Sequence, residues 1–172
     1  MRMEDDLLQC ISSARNRRKE VYEVRSRPSE IELRSAAEAL GLSLPESYVQ
    51  FCTALGIGDF NDELHLLPPG ELYAFDMPGL EFNGYIAIAS DDLGNYLAFN
   101  PAQPLEAGER SVYYHCHDPF GFGEASRSFG EFVSLLVSRK FDYHGIVDDL
   151  PSFKEAELPE ALGKSRPWWK LW

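Results

Sequence analysis

The 172 residues of this chain predict an α+β fold: a central, mostly antiparallel sheet with N-terminal and C-terminal helices packed against it. Helix-start signatures stand towards both ends, Ser29-x-x-Glu32 and Ser128-x-x-Glu131, each opening a stretch with apolar residues at helical spacing. Between them, short apolar runs are separated by Pro68-Pro69-Gly70, Pro78-Gly79 and Asn83-Gly84, the punctuation of strands joined by turns.

Residues 1–27 read as an N-terminal helical extension, with Leu7, Ile11 and Ala14 at helical spacing. Its basic cluster, Arg15, Arg17, Arg18 and Lys19, is expected to be a solvated helix face that pairs with the protein's own acidic surface. Residues 28–140 form the main domain. In its first helix Leu33, Ala36, Ala37 and Leu40 repeat at i, i+3, i+4 and i+7, and Gly41 supplies the stop. Pro45 suits the first turn of the next helix, whose Tyr48, Phe51, Cys52 and Leu55 share one core-facing side, with the Tyr48 hydroxyl expected at the rim.

Ile86 and Ile88 alternate with Tyr85, Ala87 and Ala89. Beyond the turn at 91–94, Leu97 and Phe99 alternate with Tyr96 and Ala98, which predicts an antiparallel hairpin covered by helices on one face. Val112-Tyr-Tyr-His-Cys-His117 reads as a further strand, and Phe129, Phe132, Val133 and Leu136 line the helix after Ser128. Residues 141–172 form an acidic, Trp-ending C-terminal tail. Because Trp168, Trp169 and Trp172 left free in water would be an unusual apolar exposure, the tail is expected to pack on the domain.

At 44% hydrophobic and 13% aromatic residues, the composition suits one domain with a sizeable core. Glu4, Asp5 and Asp6 stand where a signal peptide needs positive and apolar regions, and no apolar run approaches the roughly 20 residues of a membrane helix. The expected compartment is the cytoplasm. Cys10, Cys52 and Cys116 are odd in number and far apart, which fits reduced thiols.

The formal net charge of −12 is unevenly spread: eight of the sixteen Lys and Arg lie at or before Arg34, and none occurs between Arg34 and Arg110. A surface built from that stretch is negative. It repels nucleic acid and anionic membranes and attracts cationic partners, although acidic composition also keeps a protein soluble whatever it binds.

Signatures of chemistry are incomplete. His115-x-His117 puts two imidazoles on one strand face with Cys116 pointing away, but two ligands do not make a metal site, and partly exposed strand histidines are expected. Asp59-Phe-Asn61-Asp62-Glu63 begins like a calcium loop. It has Leu64 where that loop needs Gly and Gly70 where it needs a bidentate Glu, so an acidic loop with exposed carboxylates is what remains. Gly121-Phe-Gly123-Glu-Ala-Ser126 lacks the third glycine of a nucleotide turn and would aim Glu124 at a phosphate, so a flexible loop is expected. No Walker sequence, Gly-x-Ser-x-Gly elbow or His-Glu-x-x-His pattern is present, and neither cofactor, metal nor catalytic residue is nominated.

Taken in order, the Leu44-Pro-Glu-Ser-Tyr-Val-Gln-Phe51 helix, the strand 85–89, the turn Asp91-Asp-Leu-Gly94, the strand 95–99 and the helix opened by Ser128-Phe-Gly-Glu-Phe132 resemble the SUKH superfamily. Its members include bacterial immunity proteins and regulators of the Smi/Knr type. The likeness spans roughly residues 30–138. This chain has Gly56-Ile57-Gly58 where the family often has a Gly-Gly pair, and Asn95 at a commonly acidic position, which removes a charge without disturbing the turn.

The resemblance implies an interaction domain without an active site, foremost an immunity protein that neutralises a cationic toxin, for example a nuclease, by occlusion. In that reading Asp59, Asp62, Glu63, Glu81, Asp91 and Asp92 steer and pair with Lys or Arg of the toxin domain, while Phe60 and Tyr96 supply desolvated anchors. The simpler role of Asp91 and Asp92 is turn formation. The alternative is a regulatory or scaffold protein that binds an endogenous partner through the same surface or through Trp168, Trp169 and Trp172. Oligomeric state has no signature in the sequence.

Overall fold

The computed structural model describes residues 5–17, 21–77 and 82–155. In chain order they form α1 (Asp5–Arg17), β1 (Glu23–Ser26), α2 (Glu30–Glu38), α3 (Glu46–Ala54), β2 (Ile57–Phe60), β3 (Leu64–Leu66), β4 (Tyr73–Met77) and β5 (Phe82–Asp91). Then follow β6 (Tyr96–Phe99), β7 (Val112–His117), β8 (Phe120–Ser126), α4 (Phe129–Ser138), α5 (Tyr143–Asp148) and β9 (Lys154–Glu155). The strands make one sheet in the order β1-β2-β3-β5-β6-β7-β8-β9, every pairing antiparallel. One edge of the long β5 is shared, with β3 against residues 89–91 and β4 against residues 82–87. The α+β architecture is the expected one.

Both helix-start signatures act as caps. The Ser29 hydroxyl accepts from the Glu32 amide at 3.3 Å while the Glu32 carboxylate accepts from the Ser29 amide at 2.8 Å. The Ser128 hydroxyl accepts from the Glu131 amide at 3.1 Å. Pro45, which precedes α3, offers no side-chain cap. Glu109 takes that role from 62 residues away: its carboxylate accepts from the Ser47 amide at 3.0 Å and the Ser47 hydroxyl at 2.5 Å. The same hydroxyl accepts from the Gly130 amide at 3.1 Å, so one serine ties the starts of α3 and α4 together.

The core lies between the sheet and the helices. Tyr48 of α3 meets Phe99 of β6 and Phe129 of α4 edge-on at 5.6 and 5.0 Å, and Phe51 meets Phe129 at 5.4 Å. Tyr48 is wholly buried, hydroxyl included, which corrects the rim position expected for it. Desolvation pushes its phenol pKa well above the ordinary value.

The stretch expected to be an extension contributes to the same body. β1 pairs with β2, Ile11 and Tyr22 are buried, and the Tyr22 hydroxyl donates to the Gly56 carbonyl at 2.6 Å. Gly56 and Gly58 make that approach possible. Gly56 has φ +94°, and a Cβ on Gly58 would collide with the Glu23 carbonyl. After residue 140, Phe141, Tyr143, Ile146 and Val147 are buried and β9 extends the sheet. Gly121-Phe-Gly123 is not a flexible loop but part of β8, because Phe153 crosses it closely: a Cβ on Gly123 would stand 2.8 Å from the Phe153 Cα. The basic side chains of Arg15, Arg17, Arg18 and Lys19, together with Glu81 and the three tryptophans, lie outside the described residues.

Candidate functional site

The site starts from a bulge. Along β5 Ala87 stands opposite Ala98, but Ala89 stands opposite Leu97, so β5 carries one extra residue there. The alternation changes phase. Ala89 lies beside the core residues Leu66 and Leu97, and Asp91 follows it to the helix side, opposite Leu64.

Asp91 is therefore only 5% exposed, which removes it from any docking surface and corrects the expectation of a surface carboxylate. One of its oxygens accepts from the Leu93 and Asn95 amides at 3.0 and 2.7 Å. The other accepts from the Asn95 side-chain amide at 2.9 Å and the Tyr143 hydroxyl at 3.4 Å. The Asn95 side-chain carbonyl in turn accepts from the His117 amide at 3.1 Å and meets its Nδ1 at 2.8 Å. Burial, then the neighbouring Asp91 carboxylate, holds the Tyr143 phenol far above its usual range.

This network braces one end of the sheet. Glu63 accepts from the Tyr143 amide at 3.2 Å and, through its backbone carbonyl, from the Asp92 amide at 3.1 Å. Asn61 donates to the Phe141 carbonyl at 3.0 Å. Three turns, at residues 61–63, 92–95 and 118–119, are so fixed together with the start of α5. They present Asp62, Asp92 and Asp118 exposed and Glu63 half-buried, and carry no Lys or Arg. Between them Leu93 is 60% exposed, one of three large exposed apolar side chains among the described residues. His144 of α5 lies 3.0 Å from the Asp92 carboxylate.

Of the residues nominated from sequence, this end assembles Asp62, Glu63 and Asp92. Asp59 is on β2, held by Arg25 at 3.0 Å and His65 at 2.9 Å, not in an exposed loop. Phe60 is 1% exposed, its ring 4.5 Å from that of Tyr22, and is core instead of an anchor. Pulling such a ring out would forfeit about 1.5–3 kcal/mol of burial. Tyr96 lies on the sheet face away from the helices, its ring 5.7 Å from that of Tyr73. Leu93, Asn95, Asp118, Tyr143 and His144 were not anticipated. Only Leu93 had a local signal, as a large apolar residue in a tight Asp-Asp-Leu-Gly turn.

His115 is 5% exposed, so the expectation of a partly exposed histidine is corrected. Desolvation, with a smaller contribution from His117, lowers its pKa to about 4 and keeps it neutral at pH 7. Among the described residues no group of three or more His, Cys, Asp or Glu is placed to hold a metal. Cys52 is buried, which pushes its thiol up to about 12.

A cleft of about 880 Å³ lies at the opposite end, between the 101–111 loop and the starts of α3 and α4. Glu106, Glu109, Glu124, Glu131, Arg110 and Arg127 line it. Several of these groups are already engaged: Glu109 caps α3, Glu131 accepts from the Arg127 amide at 2.9 Å, and Arg110 donates to the Asn100 carbonyl at 2.6 Å.

No helix among the described residues is long and apolar enough to cross a membrane. The model of the SMI1 / KNR4 family (SUKH-1) matches residues 27–135, a span from just before α2 into α4 that includes the turns at 61–63, 92–95 and 118–119. No curated protein and no solved structure matches the chain.

Proposed function

The chain belongs to the SMI1 / KNR4 family (SUKH-1), and from that premise we propose that it is a protein-binding module of the immunity type whose acidic end docks a cationic toxin domain and occludes its working face. The observation that carries this reading is the braced end itself: Leu93 exposed among Asp62, Glu63, Asp92 and Asp118 on turns fixed from behind by Asp91 and Asn95. Each part has a physical use. Fixed carboxylates raise the association rate of a basic partner at low salt without supplying most of the affinity. Covering the Leu93 side chain contributes up to about 1.5–3 kcal/mol and slows dissociation. A turn held by buried hydrogen bonds loses little conformational freedom on binding, which lowers the ordering cost.

Occlusion requires no chemistry of the module and no cofactor. The test is affinity capture from the cells that make the protein, at low and high salt, with wild type and Leu93→Asp side by side. A basic domain retained by wild type at low salt, reduced at high salt and lost from Leu93→Asp is the expected result. A partner retained equally by both proteins and at both salt concentrations would replace this reading with a scaffold that binds through another surface.

A further inference from the structure

The 101–111 loop is held stiffly from within. The Asn100 carbonyl accepts from the Gln103 amide at 3.2 Å and from Arg110 Nη1 at 2.6 Å, and Glu106 and Glu109 exchange backbone hydrogen bonds at 2.8 and 3.0 Å. The Gly108 carbonyl accepts from the Glu46 amide at 3.0 Å, which anchors the loop to the start of α3. The loop walls one side of the cleft of about 880 Å³, a volume typical of small-molecule sites, and both Gln103 and Arg110 line it.

Arg110 is the anomaly in that wall. It is 5% exposed, and the Asn100 carbonyl is the one acceptor its guanidinium meets among the described residues. Its Nε is buried without a partner. Among the described residues no carboxylate pairs with it: Glu109, next in the chain, turns to Ser47, and burial alone pulls the Arg110 pKa below its ordinary value. A buried cation without a counter-ion destabilises the fold, and a bound anion relieves it. In the same wall the side-chain carbonyl of Gln103 is a buried acceptor without a donor, while its amide end donates to Ser111 Oγ at 3.3 Å.

The other lining charges decide which anion fits. Glu106 and Glu131 are exposed and Glu124 half-buried, against one exposed cation, Arg127. That balance repels a phosphate dianion and favours a single carboxylate on a molecule that also carries positive charge.

We propose that this cleft binds the α-carboxylate end of a basic amino acid, lysine or arginine, either free or as the last residue of a peptide. The carboxylate lies on the Arg110 guanidinium, the α-nitrogen donates to the Gln103 side-chain carbonyl, and the basic side chain lies among Glu106, Glu124 and Glu131. The site is at the opposite end of the sheet from the acidic docking end and is independent of it.

Calorimetric titration of the full chain tests this with L-lysine, L-arginine, and N-acetyl-Ala-Ala-Lys as the free acid and as the C-terminal amide. Cadaverine serves as the cation alone and norleucine as the carboxylate without the base. Saturable binding of a free amino acid or of the free-acid peptide is expected, the tighter of the two identifying the source. The peptide amide and cadaverine should bind roughly ten- to hundredfold more weakly, the loss of one charged hydrogen-bonded contact, and norleucine several-fold more weakly. Arg110→Met should weaken binding by the same ten- to hundredfold while Tm stays at the wild-type value or rises, because the substitution removes an uncompensated charge. Should that variant fail to fold, Gln103→Leu should still bind several-fold more weakly. The proposal is overturned if neither lysine source binds at millimolar concentration, if the amide or cadaverine binds as tightly as the free acid, or if binding survives both substitutions unchanged.

Discussion

Replacing Asp91 by alanine should separate two roles that the sequence reading gives to both adjacent carboxylates. The substitution removes the acceptor of the Leu93 amide, the Asn95 amide and the Asn95 side-chain amide, at 3.0, 2.7 and 2.9 Å. A hydrogen bond to a charged group contributes about 1.5–3 kcal/mol, and a buried donor left without an acceptor costs about 1–3 kcal/mol. Asn95 is buried, so its two donors cannot turn to water, whereas the Leu93 amide at the exposed turn can. Releasing a desolvated carboxylate offsets part of the loss, leaving a net cost of about 3–4 kcal/mol. For a chain of this length that lowers Tm by roughly 10 °C. Asp91→Asn retains one acceptor oxygen but opposes an amide to the Asn95 amide, and should cost about 1–2 kcal/mol. Asp92→Ala, at an exposed position, should stay within about 0.5 kcal/mol. Urea unfolding at constant m-value reads all three. An Asp91→Ala midpoint indistinguishable from that of Asp92→Ala would refute the bracing role of the buried network.

Two further outcomes follow from the same end of the sheet and the face beside it. Asn95→Asp, which restores an acidic residue at this position, sets two carboxylates against each other where Asn95 now donates to Asp91 at 2.9 Å. It should cost about 1–3 kcal/mol at pH 7 and less at pH 4, seen as a urea midpoint that recovers towards wild type on acidification. His115 is held neutral with a pKa of about 4, below the 6.5 of an exposed histidine, so between those values the unfolded chain binds the extra proton. Its contribution to stability is therefore present above pH 6.5 and is lost as pH falls from 6.5 to about 4, by at most about 3 kcal/mol. His115→Gln should lack that part of the pH dependence, and a parallel pH profile of the two proteins would contradict it.

Much of the fold was legible because local rules and packing agree. The capping box at Ser29 and the serine cap at Ser128 open helices, and the run from Tyr85 to Phe99 gives a hairpin. The site was less legible for one principal reason: residues 85–89 read as unbroken alternation, and the bulge that turns Asp91 inward has no residue that announces it. The partner that fixes Asp91 from α5, Tyr143, is 52 residues away, beyond the reach of any spacing argument. Phe60 was assigned to the surface from its acidic neighbours, although alternation along β2 sends Asp59 out and Phe60 in. Gly121 and Gly123 suggested a loop because glycine is the usual punctuation of one, and their actual reason, the passage of Phe153, lies about thirty residues further on.

Association kinetics of the captured basic domain with wild type, Asp92→Lys and Leu93→Asp, measured across a salt series, test the docking role of the acidic end most directly. The expected result is that Asp92→Lys slows association and flattens its salt dependence, while Leu93→Asp mainly speeds dissociation, both proteins unfolding as wild type does. Rates unchanged in both variants, with the partner still bound, would contradict the assignment of binding to this end of the sheet.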